Sequence, residues 1–450
     1  MLGRFQTFLA FLQDLGGESY GNLFKKPFAL LNQQGLRARE MFFTIPRAPA
    51  VTIYAGILWV IPLALLSSFE KPFMVAMGLS ETEVGVYQNA AKLSGLFFLF
   101  LGGYLSDLWG RKNALIFFDS ISWIGYCLCL ALARDKWWCI GSIFFIWAVN
   151  AGSTSAYQCL LNEDVKSKSR PLVYSLLQLV NLVPSLLFPY LGGLWVARKG
   201  MTGACHEMYW LLTFLIMMGI GLRWKFLPQS GVYEKSSRTW LHAFTAGMRQ
   251  YRDSFRRFFR KPVAAVFLFS KLLDDWTLWM WGTTYYSLYF MNHLKLNGKD
   301  FALINQSWAW ICFLFLFFIM PHIRRKWVER ILGLDQLIGL AGFGILLFLK
   351  PDSPHIFDWS LFSATLMALE AYFYGSVSTA VWMDIIGEKE RAKVVAFATS
   401  LIAVCIAVSG LGGSILFGRF PLGLVWLIVG MRAVNFFLLR IVAGLLTKKG

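Results

Sequence analysis

The chain has 450 residues, of which 57% are hydrophobic and only 15% charged, with a mean hydropathy of +0.55. A soluble domain of ordinary composition is not that apolar, so lipid must be the main solvent. The net charge of +18 does not point to nucleic acid, because the basic residues sit in short runs between apolar stretches, a pattern that orients membrane helices.

Residues 1–45 are not expected to act as a secretory leader, since Arg4 precedes only a short, interrupted apolar run, and 1–46 is read as an N-terminal extension. Phe5, Phe8, Leu9, Leu12 and Leu15 recur at helical spacing beside Gln13 and Asp14, which predicts a cytoplasmic amphipathic extension lying on the membrane or against the bundle. A helix needs roughly 20 mainly apolar residues to cross about 30 Å of hydrocarbon. Twelve stretches satisfy this, at about 48–70, 83–106, 113–133, 137–161, 171–196, 207–227, 262–291, 301–321, 331–349, 358–383, 394–418 and 420–440.

Placing the tails and every second loop on one side gathers 31 Lys and Arg there against 9 on the other, with Lys92, Lys271 and Arg432 left inside spans. The positive-inside rule then puts both termini and the linker 228–261 in the cytoplasm. That linker is basic, with Arg249, Arg252, Arg256, Arg257 and Arg260, and suits either a tether or a contact with anionic lipid. The fold class is therefore all-α membrane protein, with six-helix bundles at 47–227 and 262–445. Of seven Cys, five (Cys127, Cys129, Cys159, Cys312 and Cys405) lie inside apolar runs without metal-ligand spacing. Cys139 and Cys205 fall near outer helix ends, where packing, a free thiol and a disulfide all remain open.

Internal duplication supports two bundles. Glu163 to Asp384, Arg170 to Arg391 and Gly192 to Gly413 share an offset of 221 residues, and Gly78-Leu79-Ser80 maps onto Lys295-Leu296-Asn297 at 217. Parallel repeats of this kind place a cargo site near mid-membrane between the halves.

The loop after the second span reads Gly103-Tyr104-Leu105-Ser106-Asp107-Leu108-Trp109-Gly110-Arg111-Lys112. It resembles the G-x-x-x-D-x-x-G-R-K signature of the major facilitator superfamily, in the place where that family carries it. The resemblance implies a cytoplasmic gate. Gly103 permits close helix approach, Gly110 a tight turn, Asp107 supplies an anion at a helix end, and Arg111 and Lys112 pair with carboxylates across the cytoplasmic interface. Glu163 or Asp164, followed by Arg170, fills the position of the acidic partner after the fourth span. The stretch His322-Ile323-Arg324-Arg325-Lys326 in the second half keeps the charge without the glycines. Phe188-Pro189-Tyr190-Leu191-Gly192-Gly193 resembles part of the antiporter motif of drug-efflux members, with Phe188 where the first glycine stands, and favours efflux over uptake.

Charges at membrane depth cost roughly 2.5–3.5 kcal/mol each and are functional candidates by default. Lys271 lies three and four residues before Asp274 and Asp275, so an ion pair can form on one helix face. Asp274 sits about 18 Å along its span from the cytoplasmic end, near the midplane. Glu370 lies at similar depth in the tenth span. These groups are expected to couple transport to protons or, alternatively, to form static ion pairs. Arg432 is expected to pack against a carboxylate or snorkel. Glu70, Lys92, Asp119 and Asp335 lie nearer span ends, where solvated or structural roles dominate.

Asn150, Gln178, Asn181, Asn305 and Gln306 are expected in the cavity, together with Trp276 and Trp279, whose rings beside carboxylates suit an amphipathic or cationic solute. The expected function is alternating-access secondary transport of a small organic solute coupled to protons. No metal, cofactor or nucleic acid is expected, membrane lipid is the only other partner, and the protein is expected to act as a monomer in the cell membrane. No phosphate-binding loop indicates a pump, and no nucleophile-and-base set indicates an enzyme. The alternatives are a receptor or scaffold that keeps the fold without transport, and a lipid-handling transporter.

Overall fold

A computed structural model of the protein describes residues 45–165, 170–229, 262–315, 333–385 and 391–447. The extension up to residue 44, the linker beyond residue 229 and the His322–Lys326 stretch lie outside the described residues, as do the side chains of Asp107, Arg170, Asp384 and Arg391.

Helix accounts for nearly all of what is described, and no strand occurs among the described residues. The N-terminal half contains α1 (Arg47–Leu66), α2 (Glu70–Ala76), α3 (Glu81–Trp109), α4 (Arg111–Asp119), α5 (Gly125–Ala131), α6 (Lys136–Trp147), α7 (Thr154–Asn162), α8 (Arg170–Ser185) and α9 (Phe188–Phe226). The C-terminal half contains α10 (Pro262–Thr277), α11 (Gly298–Leu314), α12 (Leu334–Phe348), α13 (Ile356–Ile385), α14 (Arg391–Arg419) and α15 (Pro421–Thr447). Each of the twelve predicted stretches carries helix in its described part. Seven helical stretches among the described residues are both long and apolar enough to cross a bilayer, from Arg47–Leu66 to Pro421–Leu445.

Local chemistry sets several boundaries. Ser80 and Glu83 cap α3 reciprocally: the Ser80 hydroxyl accepts from the Glu83 amide at 3.1 Å, and the Glu83 carboxylate accepts from the Ser80 amide at 2.8 Å. Asp135 caps α6 by accepting from the Trp137 amide at 2.9 Å, and Asn297 caps α11 by accepting from the Asp300 amide at 2.8 Å, each without the reciprocal backbone bond. α3 stops at Gly110, whose φ of 85° is open to glycine, and the chain re-enters helix at once as α4.

The sequence expectation fails at three boundaries. The first span does not stop near residue 70: after a short break at Ser67–Phe69 it continues as α2. No loop separates the fifth and sixth spans, because α9 runs through and Gly200, with φ 75° and ψ 166°, serves as a one-residue hinge. The seventh span loses regular α-geometry after Thr277 and proceeds through π-helical turns at Leu278–Tyr285 and Tyr289–His293. In the first of these, the Thr284 hydroxyl donates to the Trp279 carbonyl five residues back, at 3.2 Å. Such turns accommodate the bulk of Trp279, Trp281, Tyr285 and Tyr289 and concentrate at functional sites.

Two large clusters of buried apolar residues, one between Val263 and Ala443 and one between Ala55 and Ile220, which Ala302 joins from the other half, are accompanied by two smaller ones in the N-terminal half. Close helix approaches tie them together. A Cβ on Gly192 would lie 2.2 Å from the Leu65 carbonyl oxygen, and one on Gly193 would lie 2.8 Å from the Ala302 Cβ, so this glycine pair seats α9 against α1 and α11.

Candidate functional site

Two buried arginines organise the charge inside the halves. In the C-terminal half, Arg432 of α15 donates through one nitrogen to Asp274 at 3.0 Å, to Gln336 at 3.2 Å and to Glu370. Gln336 then donates to Asp335 at 2.9 Å and to Glu370 at 3.2 Å. Three carboxylates from α10, α12 and α13 therefore surround a single guanidinium, and all are buried. Arg432 thus packs against carboxylates and does not snorkel. Asp335, for which the sequence leaves a solvated or a structural role open, is buried, and the Gly333 amide and Gln336 hold it at the start of α12.

The N-terminal half holds a simpler counterpart that sequence reasoning missed. Arg223 of α9 donates to Asp119 at 2.5 Å and to the Thr52 carbonyl at 3.2 Å, with its guanidinium 4.2 Å from the Trp59 ring centroid. Lys225 follows it closely, so Arg223 reads as the start of the basic linker, yet only 5% of it is exposed.

The predicted Lys271 cluster separates. Asp274 faces Arg432, whereas Lys271 pairs with Asp275 at 3.0 Å, both about a quarter exposed. Lys271, Asp275 and Trp279 are spaced by four residues and form one stripe of α10 and its continuation. Opposite that stripe stand two residues of α3. Asn89 accepts from the Trp279 indole at 3.0 Å, and the Lys92 ammonium lies 3.2 Å from the Trp279 ring centroid. Trp147 packs edge-on against Trp279 at 4.8 Å, and Lys71, itself paired with Glu70 at 2.7 Å, lies 5.9 Å from the Trp147 ring. Of the solvated and structural roles open to Lys92 and Glu70, the structure shows packed ones at the interface of the halves. Trp276 is buried within the C-terminal half, its ring against the position of Gly413.

A cavity of about 360 Å³ opens between the halves. Gln178 and Asn181 of α8 line it from one side, and Asn305, Trp308 and Cys312 of α11 from the other, with Tyr372 of α13. Asn305 also donates across to Ser68 at 2.8 Å, and Gln306 donates to the Leu186 carbonyl. Asn150 is elsewhere. It accepts from Ser122 at 3.3 Å and from Ser153 at 3.2 Å within the N-terminal half, so its side chain is occupied in holding the third and fourth spans together.

The two ends of the molecule differ. At the end carrying the Gly103–Lys112 motif, Arg111 meets Glu163 at 3.4 Å, and Lys112 donates to the Leu227 carbonyl at 2.9 Å. Arg111 thus meets the acidic partner expected after the fourth span, a contact within the N-terminal half, while Lys112 finds the carbonyl of the residue that caps α9 instead of a carboxylate. Asp164 is exposed at φ 56° and makes no ion pair among the described residues. Gly103 has open space, with the Ser155 hydroxyl 3.9 Å from a would-be Cβ; the close approach falls to Gly102, whose Cβ would lie 1.9 Å from the Gly152 oxygen. At the opposite end the halves are locked. Glu81 accepts from Asn292 at 2.8 Å and meets the His293 ring nitrogen at 2.8 Å, while Gly418 and Gly410 press α14 onto Thr82 and Asn89 of α3. Cys139 and Cys205 are free and buried, and the described residues contain no group of side chains arranged to hold a metal.

Apolar helices in two bundles, a cavity of mixed polar and apolar lining between them and a closure at one end define a multi-pass membrane protein of transporter architecture. The profile of the Major Facilitator Superfamily matches residues 48–410, and the chain belongs to that family. Among solved structures it is similar to the nucleoside transporter NupG, with a TM-score of 0.64 at 12% identity over 88% of this chain and 99% of that one. It is also similar to the POT family transporter PepTSo (TM-score 0.64, 11% identity, 90% and 98% covered). A bacterial homolog of the human lysosomal transporter Spinster, inward-facing and unoccupied, gives a TM-score of 0.61 at 14% identity over 88% and 96%. No curated protein sequence matches the chain.

Proposed function

We propose that the protein is an alternating-access secondary transporter that moves a small organic solute across the cell membrane in exchange for protons. The observation that carries this reading is the cavity of about 360 Å³ that belongs to neither bundle, because its lining comes from α8 on one side and α11 on the other. A rocking motion of the bundles exposes such a site alternately to each face. In this reading twelve spans form the bundles 47–227 and 262–445 about the linker 228–261, with both termini and the motif end cytoplasmic. The far-end lock then describes an inward-facing state of a monomer, with lipid as its only other partner.

Proton coupling is supported by the carboxylate cluster. One guanidinium neutralises one charge, and Asp274, Asp335 and Glu370 all lie around Arg432. Burying the surplus as anions costs several kcal/mol each, so protons compensate it. Asp275, one residue from Asp274 and about a quarter exposed, gives those protons a route to the cleft. Purified protein in sealed liposomes with an internal pH-sensitive dye tests the reading. Proton movement is expected with one solute pool in the wild type and none in Asp274→Asn with Asp275→Asn. Flux unchanged by the two substitutions would remove coupling from this helix, and well-folded protein inert toward every pool would refute transport.

A further inference from the structure

The charges along the cleft have a sign, and it differs from the one that carboxylates beside aromatic rings imply. Lys71 is neutralised by its neighbour Glu70 at 2.7 Å. Asp275 is held by Lys271 through both oxygens at 3.0 Å. Asp274 is committed to Arg432 on the far side of α10. Lys92 remains. Among the described residues no carboxylate bonds to it, and the one acid within electrostatic reach is Asp275, which Lys271 already occupies. On the facing surfaces, α14 and the fourth-span helices α6 and α7 contribute no acid among the residues whose side chains are described. The local balance of Lys92, Lys271 and Asp275 is therefore one positive charge, in a region closed to bulk water at the far end.

The position of Lys92 fits this surplus. Its ammonium rests on the face of Trp279, 3.2 Å from the centroid, which is where a partly buried cation goes when no anion is at hand. A cation–π contact of this kind is worth about 0.5–2 kcal/mol, less than a charge-assisted hydrogen bond to a desolvated carboxylate or phosphate. An arriving anion draws the ammonium away and leaves the indole face free to stack a planar group. Asn89 keeps the ring in place through the indole nitrogen, so the face is preserved when Lys92 leaves it.

We propose that the cargo is a planar organic anion that docks beside the cavity of about 360 Å³, at a station none of whose residues lines that cavity: its carboxylate or phosphate is drawn to Lys92, next to the Lys271–Asp275 pair, and its ring stacks on Trp279. This rests on the transport reading for the word cargo, but its test is a binding measurement and stands apart from flux. Protein in nanodiscs of neutral lipid is mixed with three pools of planar solutes of matched size, anionic, neutral and cationic, at up to about 10 mM, a concentration that reveals even weak binding. Thermal stabilisation and quenching of tryptophan fluorescence are read together. The anionic pool alone is expected to act, and its best member is then titrated against variants. Lys92→Gln should weaken binding at least tenfold and Lys92→Arg by less. Asp275→Asn, which adds one positive charge to the site, should tighten it severalfold. A merely structural role for either residue does not move affinity in opposite directions.

Binding by the cationic or neutral pool, no binding by the anionic pool, or equal affinity in wild type and Lys92→Gln overturns the proposal. Anionic lipid added to the nanodiscs separates the two sources of such a group. Competition by a lipid headgroup that abolishes solute binding in every case assigns the site to lipid and overturns the cargo reading. Anion binding without flux in liposomes would sink transport and leave this site standing, whereas flux of a cation would do the reverse.

Discussion

Arg223 and Arg432 occupy equivalent places, each on the last helix of its half and each beside an acid at the start or middle of the third, Asp119 or Asp335. Those acids are 216 residues apart, next to the offsets of 217 and 221 that the loops display. The arginines themselves are 209 residues apart, so the two struts are alike in kind without sharing the register of the loop repeats. They differ in charge: the first is one pair, while the second gathers Asp274 and Glu370 as well. A buried pair with one partner removed leaves a charge without solvent, at a cost of about 3–5 kcal/mol. Arg223→Met is accordingly expected to lower the thermal stability of the purified protein by that amount, while Arg223→Met with Asp119→Leu recovers most of it. A single variant as stable as the wild type, measured by loss of the monodisperse chromatographic peak on heating, would show that the pair does not strut the bundle. Asp274, Glu370 and Arg432 were legible as charges inside long apolar runs. Arg223 was not, because Lys225 beside it makes the end of the span look like the start of the linker.

At the scale of elements, apolar length alone recovers where helices lie, since a polar backbone in lipid has few other options. It is blind to how a helix deviates. Nothing in the run Leu278–His293 distinguishes π-turns from α-turns, and the hinge at Gly200 resembles any glycine near a span end. Helix approach is equally hidden: in Gly102-Gly103 the signature marks the second glycine, yet the packing uses the first. A Cβ on Gly102 meets backbone atoms of Gly152, which cannot move aside, whereas Gly103 has open space. Gly102→Val should reduce the folded yield severely, by the overpacking cost of about 1–3 kcal/mol or more. Gly103→Ala should leave the yield close to wild type. Equal yields from the two variants, in a membrane extract run by fluorescence-detected size exclusion, would contradict the packing described for α3.

The whole molecule is organised by the difference between its ends, and that difference was the least legible feature in the sequence. The motif predicts where a latch can form, but which end is closed depends on contacts between residues about 200 to 330 apart, such as Glu81 with His293 and Thr82 with Gly418. Glu81 is the hub of the far-end lock, holding Asn292 and His293 together. The His293 ring also lies against Phe417 and Tyr289, and two residues on from Glu81 the carboxylate of Glu83 pairs with Lys136 at 3.1 Å.

Glu81 takes both of its contacts from the other half, so its replacement tests the closure directly. A partly exposed pair of this kind is worth about 0.5–1 kcal/mol, roughly a two- to fivefold change in population. Spin labels at Arg134 and Asp352, exposed at that end in opposite halves, should report more of the separated state in Glu81→Gln than in the wild type. A distance distribution unchanged by the substitution would place the lock in the glycine contacts of α14 instead.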